Sequence, residues 1–204
     1  MRLEIVRSDF EKYYNDISLF CLTAIEEMKS ASYRDVEQTI KNMDYDTWVT
    51  NNHCLLYRIY VKRDFSWGNG MLCLLYDNDQ IVSVSGASKY NDDIAMLARR
   101  QYTLNAYKGK GIYHKYSMDV QIEWSKEANC KACVILINEY NKVLYNMLRR
   151  IPQGKATYFG GPAYDKYKSF IDLGGPYKIN GADQYVMLKK LNPSFDERDI
   201  KWKS

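Results

Sequence analysis

A turn with two closely spaced glycines joins a strand pattern to a helix pattern, and it constrains the fold more than any other feature. The turn spans residues 107–112 and contains Gly109 and Gly111, with Lys108 and Lys110 beside them. Glycine lets the backbone turn sharply and bring several amides toward one ligand, while the helix N-terminus and the lysines add positive charge. The pattern therefore indicates a binding site for a pyrophosphate group. A tight turn without a ligand is the alternative for so short a pattern.

The apolar periodicity of the remaining sequence predicts the elements around this turn. Ser8 and Glu11 form a capping-box pattern that predicts the start of the first helix. Strands are predicted at residues 3–6, 54–61, 71–76, 81–85, 94–104, 133–137, 156–159 and 184–191. Further helices are predicted at residues 32–51, after the glycine turn with an apolar stripe of Tyr113, Tyr116, Val120 and Trp124, at residues 138–150, and near residues 167–173. Such a sequence favours an α/β (α+β) fold with a mixed sheet and helices on both faces.

Length and composition restrict the class of protein. The chain has 204 residues, 46% of them hydrophobic and 26% charged, which favours one globular domain over residues 1–204. Its apolar runs are shorter than a membrane span, and its first residues carry an acid and break at Asp9, so we expect no membrane partner, no signal peptide and a cytoplasmic location. The net charge of +4 suits an anionic small ligand as well as nucleic acid, and it is below that of a dedicated DNA-binding protein.

The five cysteines are odd in number and favour reduced thiols over a disulfide framework. Cys130 and Cys133 suggest a metal or redox site, but His53 and Cys54 are the one candidate second pair of ligands and lack the usual spacing. We therefore predict no metal. The sequence contains neither a Gly-x-Ser-x-Gly motif nor a Walker motif, so it gives no support to a hydrolase or a nucleoside triphosphatase.

Residues 107–112 resemble the acyl-CoA signature of the GNAT (Gcn5-related) N-acetyltransferase superfamily, Q/R-x-x-G-x-G/A between a strand and a helix. Lys108 stands at the Q/R position and Gly111 at the glycine position, whereas Tyr113 replaces the usual glycine or alanine. A second block is similar to the family's fifth strand, with its asparagine and the tyrosine of the following helix. In this chain Asn138 precedes Tyr145 by seven residues.

The resemblance covers residues 70–148 well and implies a GNAT-like mixed, mostly antiparallel central sheet. It divides the single domain into an N-terminal helical acceptor-side region at residues 1–53, an acyl-CoA-binding core at residues 54–150, and C-terminal strands and a loop at residues 151–204. It also implies acetyl-CoA or another acyl-CoA as cosubstrate, and a primary amine of unidentified structure as the acceptor.

The mechanism implied by the resemblance is direct transfer, in which a neutral amine attacks the thioester and Tyr145 gives a proton to the leaving sulfur as general acid. Backbone amides near residues 102–104 stabilise the oxyanion. Asp93, His114 and Glu139 are weak candidates for the base. We expect the helix N-terminus to lower the pKa of His114 and to favour its neutral form. The implied cofactor-binding residues are Tyr102, Thr103, Leu104, Lys108, Gly109, Lys110, Gly111, Ile112, Tyr113 and Asn138.

Several alternatives stay open. Tyr145 is a packing aromatic in the simplest alternative, because the chain has 19 tyrosines. A catalytically silent or repurposed GNAT fold would bind a protein or nucleic acid, with Tyr158 and residues 164–168 offering aromatic rings to bases and lysines to phosphates; nucleic acid is the less favoured partner. The paired glycines flanking a short helix in residues 160–182 suggest that this segment shapes the acceptor side. A monomer and a homodimer are both consistent with the sequence.

Overall fold

The computed structural model describes residues 1–30, 69–154 and 162–202. The chain forms two compact units. The first unit consists of residues 1–88 and 99–112, and the second of residues 89–98 and 113–204. The helix predicted at residues 32–51 and the strands predicted at 54–61 and 156–159 lie outside the described residues. That the whole chain is a single domain stays a prediction.

The first unit has the strand order β1-β2-β3-β4, in which β4 contributes its C-terminal half. Its strands are β1 (Arg2–Val6), β2 (Gly70–Asp77), β3 (Gln80–Lys89) and β4 (Ile94–Thr103). The pairs β1–β2 and β2–β3 are antiparallel, and residues 78–79 form the hairpin turn between β2 and β3.

Helix α1 (Tyr14–Ser30) packs an apolar stripe onto this sheet. Ile17, Phe20, Cys21 and Ala24 recur every three or four residues and share one buried cluster with residues of β2, which confirms the predicted amphipathic helix. The predicted capping box is wrong. The backbone of Asp9 is left-handed, with φ of 54°, and a 3₁₀-helix at Phe10–Tyr13 precedes α1, so Ser8 and Glu11 do not take the capping positions.

The second unit has the strand order β4-β5-β7-β6, with the N-terminal half of β4. Its further strands are β5 (Ala132–Asn138), β6 (Ile171–Ile179) and β7 (Ala182–Lys190). Strand β4 runs parallel to β5, whereas the pairs β5–β7 and β6–β7 are antiparallel. The predicted class, an α/β fold with a mixed and mostly antiparallel sheet, is confirmed.

Strand β6 corrects the short helix predicted near residues 167–173. The helix is a 3₁₀-helix at Pro162–Ser169, and the chain is already a strand from Ile171 onward. The sequence conceals this strand because Gly174, Gly175 and Pro176 are types that strands usually avoid. These residues are tolerated in β6 because, among the strands that the structure describes, it is the last in the order and pairs with β7 alone.

Two α-helices complete the second unit, α2 (Met118–Glu127) and α3 (Lys142–Leu148). A π-helical turn at Tyr113–Ser117 opens α2, and a 3₁₀-helix at Glu139–Asn141 comes before α3, so the helix predicted to begin at residue 138 begins later. The wider π-turn rotates the residues that follow it. The buried face therefore differs from the predicted stripe: Tyr116 and Val120 are half-buried, and the buried positions are Tyr113, His114, Ser117, Met118, Gln121, Ile122, Trp124 and Ser125.

No helix within the described parts of the chain is both long and apolar enough to cross a membrane.

Candidate functional site

The glycine turn has the backbone that its sequence predicts. Strand β4 ends at Thr103, a 3₁₀-helix follows at Asn105–Tyr107, and the helical region begins directly after the turn. Gly109 and Gly111 have φ of 75° and 66°, in the left-handed region where a side chain causes strain. A Cβ atom built at Gly109 meets no atom of the described chain within 4 Å, apart from Gly109 and its two neighbours in sequence, so open space adjoins the backbone there.

The two lysines of the turn lie over tyrosine rings. Lys108 Nζ donates a hydrogen bond to Asn105 Oδ1 over 2.6 Å and lies 4.6 Å from the centre of the Tyr102 ring. Lys110 Nζ lies 5.1 Å from the centre of the Tyr107 ring. Both lysines are exposed, so they add positive charge at the surface of the turn.

Helix α1 holds the start of the turn through Glu27, a residue that sequence reasoning missed. The Glu27 carboxylate accepts hydrogen bonds from the Asn105 amide at 2.9 and 3.0 Å and from the Tyr102 hydroxyl at 3.2 Å. Glu27 and Asn105 are 78 positions apart, and no local pattern relates two residues so distant in sequence. Glu27 therefore connects α1 to the segment that leads into the glycine turn.

The end of β4 satisfies its polar groups inside the first unit. Thr103 Oγ1 lies 2.8 Å from Ser83 Oγ on β3, and both residues are buried. The Leu104 amide donates to the carbonyl oxygen of Val82 over 2.9 Å. This bond corrects the expected role of Leu104, because an amide already used within the sheet does not serve an oxyanion. Amides of residues 102 and 103 stay a prediction.

Tyr113 and His114 begin the part of the helix that belongs to the second unit, and both are buried. The Tyr113 hydroxyl donates to Gln121 Oε1 over 3.1 Å, and the Tyr113 ring meets the His114 ring edge to face with centres 5.2 Å apart. The bulky residue at the position where the family has glycine or alanine is therefore anchored to its own helix.

His114 packs against the 3₁₀-helix at Pro162–Ser169. Its Nε2 lies 3.1 Å from the Tyr167 hydroxyl oxygen, and Lys166 Nζ donates to its carbonyl oxygen over 2.6 Å. Burial, followed by the charge of Lys166, lowers the pKa of His114 to about 4. The expected neutral form is confirmed, and its largest cause is burial. A buried group of such low basicity is poorly suited to take a proton from an ammonium group, which argues against His114 as the base.

Strand β7 contacts both Asn138 and Tyr145, at neighbouring residues. Asn138 pairs with Gln184 at the end of β5, and the neighbouring Tyr185 stacks on Tyr145 with ring centres 4.1 Å apart and planes 12° apart. The Tyr145 hydroxyl donates to Asp172 Oδ1 on β6 over 2.8 Å. The sequence predicts the Asn138 to Tyr145 spacing, whereas it gave no sign of Asp172.

The surroundings of Tyr145 favour its neutral phenol. Burial and the hydrogen bond to Asp172 raise the pKa of Tyr145, and the smaller, opposite influence of Arg149 does not cancel them. Tyr145 is 4% exposed. At neutral pH its hydroxyl therefore carries a proton.

The two other candidate bases, Glu139 and Asp93, have no described hydrogen bond or ion pair with Tyr145, Asp172 or Tyr185. Glu139 is exposed at the start of its 3₁₀-helix, and Asp93 forms an ion pair with Lys131 over 2.9 Å.

Cys130 and Cys133 are buried and free, and burial raises the pKa of Cys133 to about 12, so a reactive thiol at this position is contradicted. Within the described segments, no three histidine, cysteine, aspartate or glutamate side chains gather into a set that could hold a metal ion.

The expected site residues are divided between the two units. The first unit holds Tyr102, Thr103, Leu104, Lys108, Gly109, Lys110, Gly111 and Ile112, and the second holds Tyr113, His114, Asn138, Glu139 and Tyr145. Their roles toward a ligand stay predictions.

Solved structures of acetyltransferases have the same fold. No protein-family model and no curated protein matches the sequence. An N-acetyltransferase from Staphylococcus aureus Mu50 aligns with a TM-score of 0.53 and 14% identity over 94% of this chain and 99% of its own. The PaiA N-acetyltransferase from Thermoplasma acidophilum, in complex with coenzyme A, aligns with a TM-score of 0.52 and 13% identity over 93% and 99% of the two chains. An acetyltransferase from Streptococcus agalactiae aligns with a TM-score of 0.51 and 13% identity over 93% of this chain and 98% of its own.

These alignments cover nearly the whole chain, and together with the mixed sheet they show that the chain has the fold of these acetyltransferases. At such low sequence identity the similarity concerns the fold alone.

Proposed function

We propose that this protein is an acyl-CoA-dependent N-acyltransferase, most simply an acetyltransferase, which moves an acyl group from a coenzyme A thioester to a primary amine. The observation that carries the proposal is the glycine turn, where two glycines in the left-handed conformation and two exposed lysines directly precede a helix. The Thermoplasma enzyme of the same fold, solved with coenzyme A, supports this proposal.

The glycine turn fits a diphosphate. Open space next to Gly109 gives a ligand direct access to the backbone, and amides after residue 108 would donate hydrogen bonds to phosphate oxygens. Lys108 and Lys110 would add charge attraction from the surface. Residue 113 lacks the small side chain of the family pattern, but its hydroxyl is bound to Gln121 of its own helix.

Tyr145 would act as the general acid. A thioester supplies an activated acyl group and a sulfur leaving group that needs a proton. Tyr145 is buried and its raised pKa keeps the phenol protonated, so it holds a proton to donate at the pH where an amine is partly neutral. Backbone amides of residues 102 and 103 are the proposed oxyanion donors, and the acceptor amine and its base are not assigned.

Calorimetric titration with acetyl-CoA tests the proposal directly. We expect measurable binding of acetyl-CoA and at least about tenfold weaker binding of acetylpantetheine, which lacks the nucleotide and its diphosphate. A parallel titration with nucleic acid at low and high salt serves as control for the repurposed-fold alternative. Lack of heat with acetyl-CoA, accompanied by salt-sensitive binding of nucleic acid, would exclude the transferase and favour that alternative.

A further inference from the structure

Asp172 holds the Tyr145 hydroxyl and the backbone of β6 with one and the same oxygen. Its Oδ1 accepts from the Tyr145 hydroxyl over 2.8 Å and from the Gly174 amide over 2.9 Å. The register of β6 against β7 shifts between Asp172 and Gly174. The irregular register and the hydrogen bond from the Gly174 amide together hold the carboxylate toward the phenol, because a side chain that is hydrogen-bonded to its own strand has little rotational freedom.

Within residues 1–30, 69–154 and 162–202, groups from three parts of the second unit face the phenol. Asp172 approaches from β6, Tyr185 stacks on the ring from β7, and Arg149 follows α3 with its guanidinium carbon 5.5 Å from the ring centre. Tyr185 covers a face of the ring and keeps water from it. The phenol is thus in contact with one negative and one positive side chain, in surroundings where charges are screened less than at the surface.

We propose that Asp172 is the positioning residue of Tyr145, which directs the phenol and retains its proton until the sulfur leaving group takes it. This inference rests on the proposed function for the identity of the proton acceptor. A phenolate beside a carboxylate would place two negative charges in contact, so the carboxylate disfavours early loss of the proton to water. Arg149 acts in the opposite sense, because its positive charge stabilises the phenolate formed after transfer.

The proton balance of the step is complete. The O–H bond of Tyr145 breaks as an S–H bond forms on the leaving thiol, and the C–S bond breaks as the C–N bond forms. The amine nitrogen loses a proton to water, and water returns a proton to the Tyr145 phenolate. The reaction therefore consumes no net proton, and Asp172 neither gains nor loses a bond in it.

The titration of Tyr145 itself tests the inference without any need for activity. Protein labelled with carbon-13 at the tyrosine ζ carbon is titrated by NMR, and the Tyr145 signal is identified by its loss in Tyr145→Phe. Asp172→Asn keeps an oxygen that accepts both hydrogen bonds but removes the charge. We expect the Tyr145 midpoint to fall by about one pH unit in Asp172→Asn and to rise in Arg149→Gln. Asp183→Asn is the matched control, because Asp183 is paired with Lys178 on the same two strands.

Opposite shifts in the two variants, with Asp183→Asn unchanged, support the inference. An unchanged midpoint in Asp172→Asn, or an equal shift in Asp183→Asn, overturns it. If Asp172→Asn fails to fold, the exposed Arg149→Gln still decides, because a midpoint that does not rise contradicts the proposed charge balance. The alkaline limb of the kcat/KM profile should follow the Tyr145 midpoint. If the midpoint shifts but no acyl transfer to any amine occurs, the proposed function fails while the control of Tyr145 by Asp172 stands.

Discussion

At the glycine turn, the groups proposed to bind a ligand are backbone amides and exposed lysines. At β6 and β7, in contrast, the central group is a buried phenol between a carboxylate and an aromatic ring. The turn depends on backbone conformation, with Gly109 at φ of 75°. The tyrosine cluster depends on side-chain contacts, with Tyr145 only 4% exposed. The two regions are therefore suited to different tasks.

Exposed charges are screened by water and salt, so changes at the turn should alter affinity modestly and in a salt-dependent manner. Buried polar groups are screened much less, and loss of one partner leaves the other without compensation. Changes in the buried region should therefore affect chemistry, pH dependence and stability, with coenzyme affinity nearly unchanged. The following predictions test this contrast.

Tyr145→Phe should give the largest effect. Removal of the hydroxyl takes away the proton donor, and general-acid assistance contributes about 10²- to 10⁴-fold, so turnover should fall by that order while coenzyme A binding is nearly unchanged. Steady-state kinetics and calorimetry measure the two quantities. Tyr177→Phe is the control, because this β6 hydroxyl donates only to the Leu173 carbonyl over 2.6 Å among the bonds described for it. Full turnover in Tyr145→Phe would contradict the role of Tyr145 as general acid and would mean that the residue serves only in packing.

His114 should make stability depend on pH in the second unit. Its pKa falls from 6.5 to about 4 on folding, so the unfolded chain binds more protons between these values, and the free energy of unfolding decreases as the pH falls through this window. The decrease between pH 7 and pH 5 should be about 2 kcal/mol. Urea unfolding at both pH values measures it, and His114→Gln should lose this part of the decrease.

Above pH 7 the histidine is mostly neutral in both the folded and the unfolded chain. The free energies of unfolding of the wild type and of His114→Gln should therefore change in parallel between pH 7 and pH 8. A wild-type decrease equal to that of His114→Gln between pH 7 and pH 5 would contradict the burial of a neutral imidazole.

The sequence predicted those parts of the fold that depend on local pattern. Strands β2, β4, β5 and β7 lie where contiguous or alternating apolar residues predicted them, because the pattern of burial is written in neighbouring positions. The exact face of α2 was missed, since a π-turn shifts the face by backbone hydrogen bonding that side-chain periodicity does not encode.

The candidate site divides in the same way. Gly109 and Gly111 were predictable because the need for glycine is a property of one short segment. Asp172 and Glu27 were not, since their partners lie 27 and 78 positions away and meet them only through strand register and helix packing. Sequence therefore predicted the backbone conformation of the glycine turn, but not the side chains of Glu27 and Asp172 that contact the candidate site residues.

Gly109→Ala should weaken acetyl-CoA binding by about tenfold, because the left-handed backbone of the turn costs an alanine about 1–2 kcal/mol and the turn would relax from it. Calorimetry measures the dissociation constant. Gly181→Ala is a close control: its φ is 78° against 75° for Gly109, and a Cβ at either position meets nothing within 4 Å. The control should lose stability without loss of affinity. Equal weakening in both variants would mean that the turn has no special part in binding.

Lys108→Gln should give the smallest effect on acetyl-CoA affinity. Its strong dependence on salt should contrast with the effect of Asp172 on the Tyr145 midpoint. Lys108 is exposed and its ammonium already contacts Asn105, so its charge should contribute about threefold to acetyl-CoA affinity at low salt and almost nothing at about 0.5 M salt. The same change in salt should leave the Tyr145 midpoint nearly unchanged, since the carboxylate touches the phenol directly. Calorimetry and NMR at two salt concentrations provide the comparison. A Tyr145 midpoint as sensitive to salt as the Lys108 contribution would show that the phenol is in contact with bulk water, and the distinction between an exposed binding turn and a protected proton donor would be lost.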